Sequence, residues 1–231
     1  MYLISAILGS IVGAVGTALG GILALLIGKR VTEPRPFLAF AGGLMIAVVF
    51  FDMLLQSAML GGLYIMCGGA VAGGIFFALV SPLIVHDHER TLYSTGILVL
   101  IGIALHDLPE GLAVGSSLVE SQQMAISFSL LMLVHNIPEG AAVGLPLRMS
   151  GVPGWRVVLF TLLTGVPTTA GALIGTAVGS ISEEMIAFCI SFAAGAMLYI
   201  SIKELIPSAG KNRVLSALLG FCIGFFMTIL I

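Results

Sequence analysis

Eight long apolar runs, parted only by short polar clusters, decide what this chain can fold into. They cover residues 2–28, 37–59, 63–85, 92–119, 124–147, 157–179, 185–206 and 214–230, each near the roughly 20 residues a helix needs to cross a bilayer. A water-soluble core has no room for so much apolar chain. Of 231 residues, 59% are hydrophobic and 9% charged, against about 45–50% and about 25% in soluble domains. The runs lack the alternation of a barrel strand and far exceed its length. The fold class is therefore an all-α membrane protein with eight transmembrane helices. The connectors leave no space for a soluble domain, so residues 1–231 are expected to form a single transmembrane domain. Met1-Tyr2-Leu3 offers no cationic leader and the first run is too long for a cleavable signal peptide.

Positive charge gives the orientation, because Lys and Arg collect in cytoplasmic loops. Lys29, Arg30 and Arg35 follow the first run, Arg90 the third, Arg148 and Arg156 flank the loop after the fifth, and Lys203, Lys211 and Arg213 surround the loop after the seventh. All nine cations thus fall on one side. The even-numbered gaps at Gly61-Gly62, Glu120 to Gln123 and Ser182 to Glu184 hold none, so both termini are expected outside the cytoplasm. Adding or removing one helix would scramble this alternation. The net charge of -2 leaves no basic patch for phosphates, so no nucleic-acid partner is expected. Cys67, Cys189 and Cys222 lie apart within apolar runs and read as small hydrophobes, not as a disulfide framework or a thiolate cluster.

Glycine recurs at four-residue spacing, as in Gly9/Gly13, Gly16/Gly20, Gly69/Gly73, Gly111/Gly115, Gly140/Gly144 and Gly171/Gly175/Gly179. Such faces let helix backbones approach closely in lipid. The same smooth faces would also suit one bundle sliding on another, which spacing alone does not decide.

The fourth and fifth runs contain what lipid should exclude. HDLPEGLAVG occupies 106–115 and HNIPEGAAVG occupies 135–144, so one pattern occurs twice. Each ionisable group deep in a membrane helix costs at least about 2.5–3.5 kcal/mol on insertion scales and is normally paired, ligated or wet. His and Glu at i and i+4 share one helical face. The proline before each Glu lacks an N–H and so frees the carbonyl of Leu105 or Val134. With Gln122 as the hairpin apex, His106 lies level with Glu139 and Glu110 with His135, roughly 18–26 Å below the apex at about 1.5 Å per residue. An antiparallel pair of helices four and five therefore sets His–Glu against Glu–His. Imidazole nitrogen and carboxylate oxygen are the usual ligands of Zn²⁺ and suit Fe²⁺ and Mn²⁺. Asp107 and Asn136, about a third of a turn away, add oxygens for a second ion bridged by Glu110 and Glu139. A bare hydrogen-bond network explains less, since hydrogen bonds between membrane helices average about 0.6 kcal/mol.

The paired H-[DN]-x-P-E-G motifs on consecutive helices resemble those of the ZIP (Zrt/Irt-like) family of divalent metal transporters. AFAGGLM at 39–45 through Asp52, and FAAGAMLYI at 192–200 through ELIP at 204–207, resemble further stretches of that family. The resemblance implies eight helices with both termini outside, inward movement of Zn²⁺ and related ions, and a binuclear site on helices four and five. By position, His106, Glu110, His135 and Glu139 would form the first site, while Asp107, Asn136, Glu110 and Glu139 would serve the second. Related members commonly carry Glu before the proline of the sixth helix, where this chain has Val166. One transport site and a weak or absent auxiliary site is the resulting expectation.

Four further residues are candidates for the ion's entrance and exit. Asp52 lies toward the outer end of the second run, and Glu204 toward the cytoplasmic end of the seventh beside Lys203, where snorkelling is the simpler reading. His86 and His88 stand with Asp87 and Glu89 in a cytoplasmic loop. The expected protein is a multi-pass importer in the cell (cytoplasmic) membrane, moving Zn²⁺, with Fe²⁺, Mn²⁺ or Cd²⁺ as alternative ions, by alternating access. Its partners would be divalent ions and the lipid bilayer, and a homodimer is compatible with this reading. Ligands must be deprotonated, so occupancy should fall in acid. Two rivals share parts of the pattern. An intramembrane metalloprotease needs H-E-x-x-H, which does not occur. A metal sensor or scaffold without transport lacks the soluble domain such a readout uses.

Overall fold

The computed structural model describes residues 1–28, 35–84, 91–178, 182–207 and 213–230. Every element among them is helical: α1 (Tyr2–Ser10), α2 (Gly16–Gly28), α3 (Arg35–Val48), α4 (Leu54–Ile84), α5 (Leu92–Glu120), α6 (Gln122–Met149), α7 (Gly154–Thr164), α8 (Val166–Val178), α9 (Glu183–Ile200) and α10 (Arg213–Leu230). Wider π-helical turns at Ile11–Val15 and Val49–Met53 join α1 to α2 and α3 to α4, and a third at Ser201–Leu205 extends α9. Local chemistry sets several ends. Thr91 and Ser94 form a reciprocal capping box at the start of α5, and the Ser182 hydroxyl accepts from the Met185 N–H at the start of α9, satisfying amide groups that a helix start leaves bare. Gly151, at φ +96°, turns the chain out of α6, a conformation only glycine adopts without strain.

Five helical stretches among the described residues are long and apolar enough to cross a bilayer: Tyr2–Gly28, Pro36–Leu83, Leu92–Val119, Gly154–Val178 and Glu183–Leu205, with Val214–Ile229 shorter. The stretch Pro36–Leu83 joins two of the apolar runs recognised in the sequence, and it is not one rod. Its backbone breaks at Gly62, with φ 76° and ψ 172°, and the neighbours show a reversal of direction. Before the break, Gly42 packs on Ser201, Leu205 and Ile206, while the Ser57 hydroxyl donates to the Ala187 carbonyl at 2.7 Å, so this arm runs antiparallel to α9. At the break Gly61 meets Ala187; after it, Gly69 meets Ser191 and Gly73 meets Phe192, and Phe77 lies against Tyr199, so this arm runs parallel to α9. Gly62 is the tip of a helical hairpin.

The helices sort into two bundles. In one, α1 and α8 pack antiparallel, α2 runs beside α6, and α5 lies between α6 and α8. In the other, α4 packs on α9 and α3 on α10. The glycine faces lie inside these bundles: Gly20 against Ile137 and Gly140, Gly111 and Gly115 against Thr168 and Ala172, Gly43 against Ala217, Gly195 against Ala70. At these places a Cβ would strike a facing main chain, so the four-residue glycine spacing serves close packing within each bundle. The boundary between bundles is built of larger side chains. Ile200 reaches over Gly102 with Phe77 beside it, and Leu98, Val99 and Ile103 of α5 share one apolar cluster with Met45, Met197 and Leu205.

Candidate metal centre

The repeated motif places its polar groups in the middle of α5 and α6, where both helices are covered. His106, Asp107, Glu110, Asn136 and Glu139 are all buried. Pro109 and Pro138 sit inside their helices and break the hydrogen-bond ladder one residue before each Glu. His106 Nε2 stands 2.7 Å from Glu110 Oε1, one turn on, and 3.5 Å from Glu139 Oε1 on the neighbouring helix. These are the neighbours expected from i, i+4 spacing and from the antiparallel register. One ligand atom each of His106, Asp107 and Glu110 lie within 4.8 Å of one another, so Asp107 turns toward the cage and adds a third carboxylate to it.

Asn136 is oriented by the first helix. Its Nδ2 donates to the Val12 carbonyl at 3.1 Å, within the π turn Ile11–Val15. That leaves Asn136 Oδ1 without a hydrogen-bond partner among the described residues, while the Asp107 carboxylate has the Thr168 hydroxyl beside it. Burying a polar group uncompensated costs about 1–3 kcal/mol, more when charged. A buried set of imidazole, carboxylates and an unbonded amide oxygen is the electrostatic complement of a divalent cation.

All six residues expected to bind metal fall within residues 85–231, the part of the chain matched by the family described as ZIP zinc transporter. Zinc transporter ZupT of Corynebacterium aurimucosum is 31% identical, over 87% of this chain and 86% of its own. The chain belongs to the ZIP family. Two other relatives of this ZIP protein are zinc transporter ZIPB of Bordetella bronchiseptica, 30% identical over 95% of this chain and 78% of its own, and zinc transporter GufA of Myxococcus xanthus, 37% identical over 62% of this chain. In the GufA pairing the chain spans 60% of the relative's length. ZIP proteins are transporters, which removes the metalloprotease reading.

The remaining sequence-predicted residues of this ZIP protein are placed as follows. The backbone of His135 lies in α6, at its expected position before Asn136, but its side chain is outside the described residues. His86 and His88 also lie outside them. Asp52 is half-buried in the π turn Val49–Met53, ten residues before the Gly62 tip. Glu204 is 2% exposed, in the π turn Ser201–Leu205. It does not snorkel, because its backbone faces α3, where Gly42 packs on Ser201 and Leu205. Val166 is 53% exposed and points out of the bundle.

Thr168 is the residue that sequence reasoning passed over. It is fully buried, its hydroxyl lies against Gly13 and beside the Asp107 carboxylate, and it makes no hydrogen bond of full geometry. Threonine in an apolar run gives no warning, since its hydroxyl can bond to its own helix. Thr164, Thr169 and Thr176 do so, to Thr161, Gly165 and Ala172.

Proposed function

We propose that this protein imports Zn²⁺ across the cell membrane into the cytoplasm, by alternating access around the His106, Glu110, His135 and Glu139 cage. Fe²⁺, Mn²⁺ and Cd²⁺ share enough of zinc's ligand chemistry to be further substrates. The observation that carries the reading is the cage itself: His106, Asp107 and Glu110 buried together on α5, with Glu139 of α6 at 3.5 Å from His106. Relatives named as zinc transporters point to the same ion.

The whole chain forms one transmembrane domain of eight crossings in this reading, with both termini outside. Support comes from the reversal at Gly62, which divides Pro36–Leu83 into two arms, and from α6, which at 28 residues is long enough to cross. Aromatic residues favour membrane interfaces, and exposed Tyr2 and Tyr64 mark the proposed outer ends while Tyr93 and Trp155 mark the inner ones. On this arrangement Asp52 serves the entrance side of the cage. Glu204, with His86 and His88, serves the exit.

Zinc uptake into proteoliposomes tests the proposal. Wild-type protein should accumulate zinc down its gradient, and Glu110→Ala and Glu139→Ala should lose at least about tenfold of that flux, since each removes a charged ligand worth more than about 1.4 kcal/mol. Equal flux in all three would refute the site. Binding without flux would refute transport and leave the sensor.

A further inference from the structure

Three helix ends of the bundle that carries the cage meet at one level. Gly28, the last residue of α2, packs on the Arg148 side chain in the last turn of α6, and Gly154, the first residue of α7, packs on Leu25 of α2. One turn deeper, Gly144 lies against Ala24 and Val157, so the three helices are held together here. The charge of this region has one sign. Residues 1–32 and 140–182 hold Lys29, Arg30, Arg148 and Arg156 and no Asp or Glu. Neither Arg148 nor Arg156 forms an ion pair among the described residues.

Both guanidinium groups are oriented. Arg148 is half-buried, and its Nη1 donates to the Val152 carbonyl at 3.3 Å, which is one of the five N–H groups of its fork. Arg156 is exposed and stands 5.1 Å from the centre of the Trp155 ring, a cation–π arrangement that steers the charge. Trp155 is itself 65% exposed and is the only tryptophan of the chain. Leu159 and Leu162 continue its exposed face along α7 at i+4 and i+7. Paired cations above an apolar face that runs into the hydrocarbon complement a molecule with an anionic head and an acyl tail, which a soluble phosphate is not.

We propose that Arg148, Arg156 and Trp155 form a docking site for one anionic phospholipid of the inner leaflet, with the guanidinium groups on its phosphate and an acyl chain along Trp155, Leu159 and Leu162. This rests on the reading that these helix ends face the cytoplasm. Guanidinium forks match phosphate oxygens, and each cation near an anionic headgroup contributes roughly fivefold in binding. The lipid would hold α2, α6 and α7 at headgroup depth, and with α6 the cage residue Glu139.

The single tryptophan makes the test direct. Full-length protein is placed in phosphatidylcholine vesicles containing a small fraction of either phosphatidylglycerol or phosphatidylcholine brominated near the glycerol end of its chains, which quenches a tryptophan on contact. Phosphatidylglycerol should quench Trp155 at about tenfold lower fraction than phosphatidylcholine. Arg148→Gln and Arg156→Gln should each reduce that preference roughly fivefold, and Arg213→Gln, at the start of α10 in the other bundle, should leave it unchanged. Comparing two lipids within each variant cancels any change in intrinsic emission, and helical circular dichroism reports that the variant is folded. Equal quenching by both lipids in wild type, an unchanged preference in both arginine variants, or an equal loss in Arg213→Gln would each overturn the site. Reversal of quenching by soluble glycerol phosphate would overturn the lipid as occupant. Failure of the orientation reading looks different: both vesicle leaflets carry the same lipid, so the quenching would persist, while Ser150→Cys in intact cells would react with an impermeant maleimide from outside.

Discussion

Asp107→Asn separates a carboxylate kept for a cation from one kept for packing. The substitution is nearly isosteric and turns HDLPEG into HNLPEG, a close match to the HNIPEG already present at 135–140. Ligand atoms of Asp107 and Glu110 lie within 4.8 Å. At an effective dielectric of about 20, two such charges repel by on the order of 3 kcal/mol, and a divalent ion at the same distance is attracted by on the order of 7 kcal/mol. Water and proton uptake reduce both, and roughly half survives as a working figure. Metal-free Asp107→Asn should then be more stable by about 1–2 kcal/mol, raising its melting temperature by roughly 3–6 °C. Its zinc affinity should fall by about 3.5 kcal/mol, or roughly 400-fold. Zinc at 100 times the wild-type dissociation constant stabilises wild type by about 2.7 kcal/mol, and the variant by only about 0.1 kcal/mol. Thermal unfolding followed by helical circular dichroism, in chelator and in zinc, reads both effects. A variant that melts lower without metal, yet keeps the full zinc shift, would show that Asp107 holds the helices together and has no part in binding.

The glycine packing predicts opposite outcomes at two sites. A Cβ on Gly43 would strike the Ala217 carbonyl, whereas nothing lies within 4 Å of one on Gly68. Gly43→Val should cost about 1–3 kcal/mol or prevent assembly, and Gly68→Ala should stabilise by up to about 1 kcal/mol, as measured by melting temperature and folded yield. For the orientation, Gln122→Cys and Ser150→Cys, introduced one at a time after the native cysteines are replaced by Ala, should react with an impermeant maleimide from opposite faces of the membrane. Labelling of both from one face would overturn the eight-crossing arrangement.

The meeting of His106 with Glu110 and Glu139 was legible because its information is local: i, i+4 spacing, a proline before each Glu, and one hairpin apex that sets the level of the facing helix. His106 and Glu139 meet where that arithmetic puts them. Thr168 and the Val12 carbonyl were not legible, because they come from α8 and from a π turn, and nothing in an apolar run announces an extra residue in a helical turn. The burial of Glu204 was not legible either, since a carboxylate beside Lys203 near the end of an apolar run reads as snorkelling. The glycine spacing predicted close contact correctly but not its location, which depends on which helices become partners.

The boundary between the bundles carries a consequence for the surrounding lipid. Interhelical hydrogen bonds from Ser5, Ser57, Asn136 and Thr176 stay within one bundle, while the seam joins Leu98, Val99 and Ile103 to Met197 and Phe77 through side chains alone. Branched alkyl groups cohere with one another hardly more strongly than with acyl chains. Lipid tails are thus direct competitors for the seam, and acyl-chain length and membrane fluidity become kinetic variables of the protein in the way that salt and pH are for a soluble enzyme.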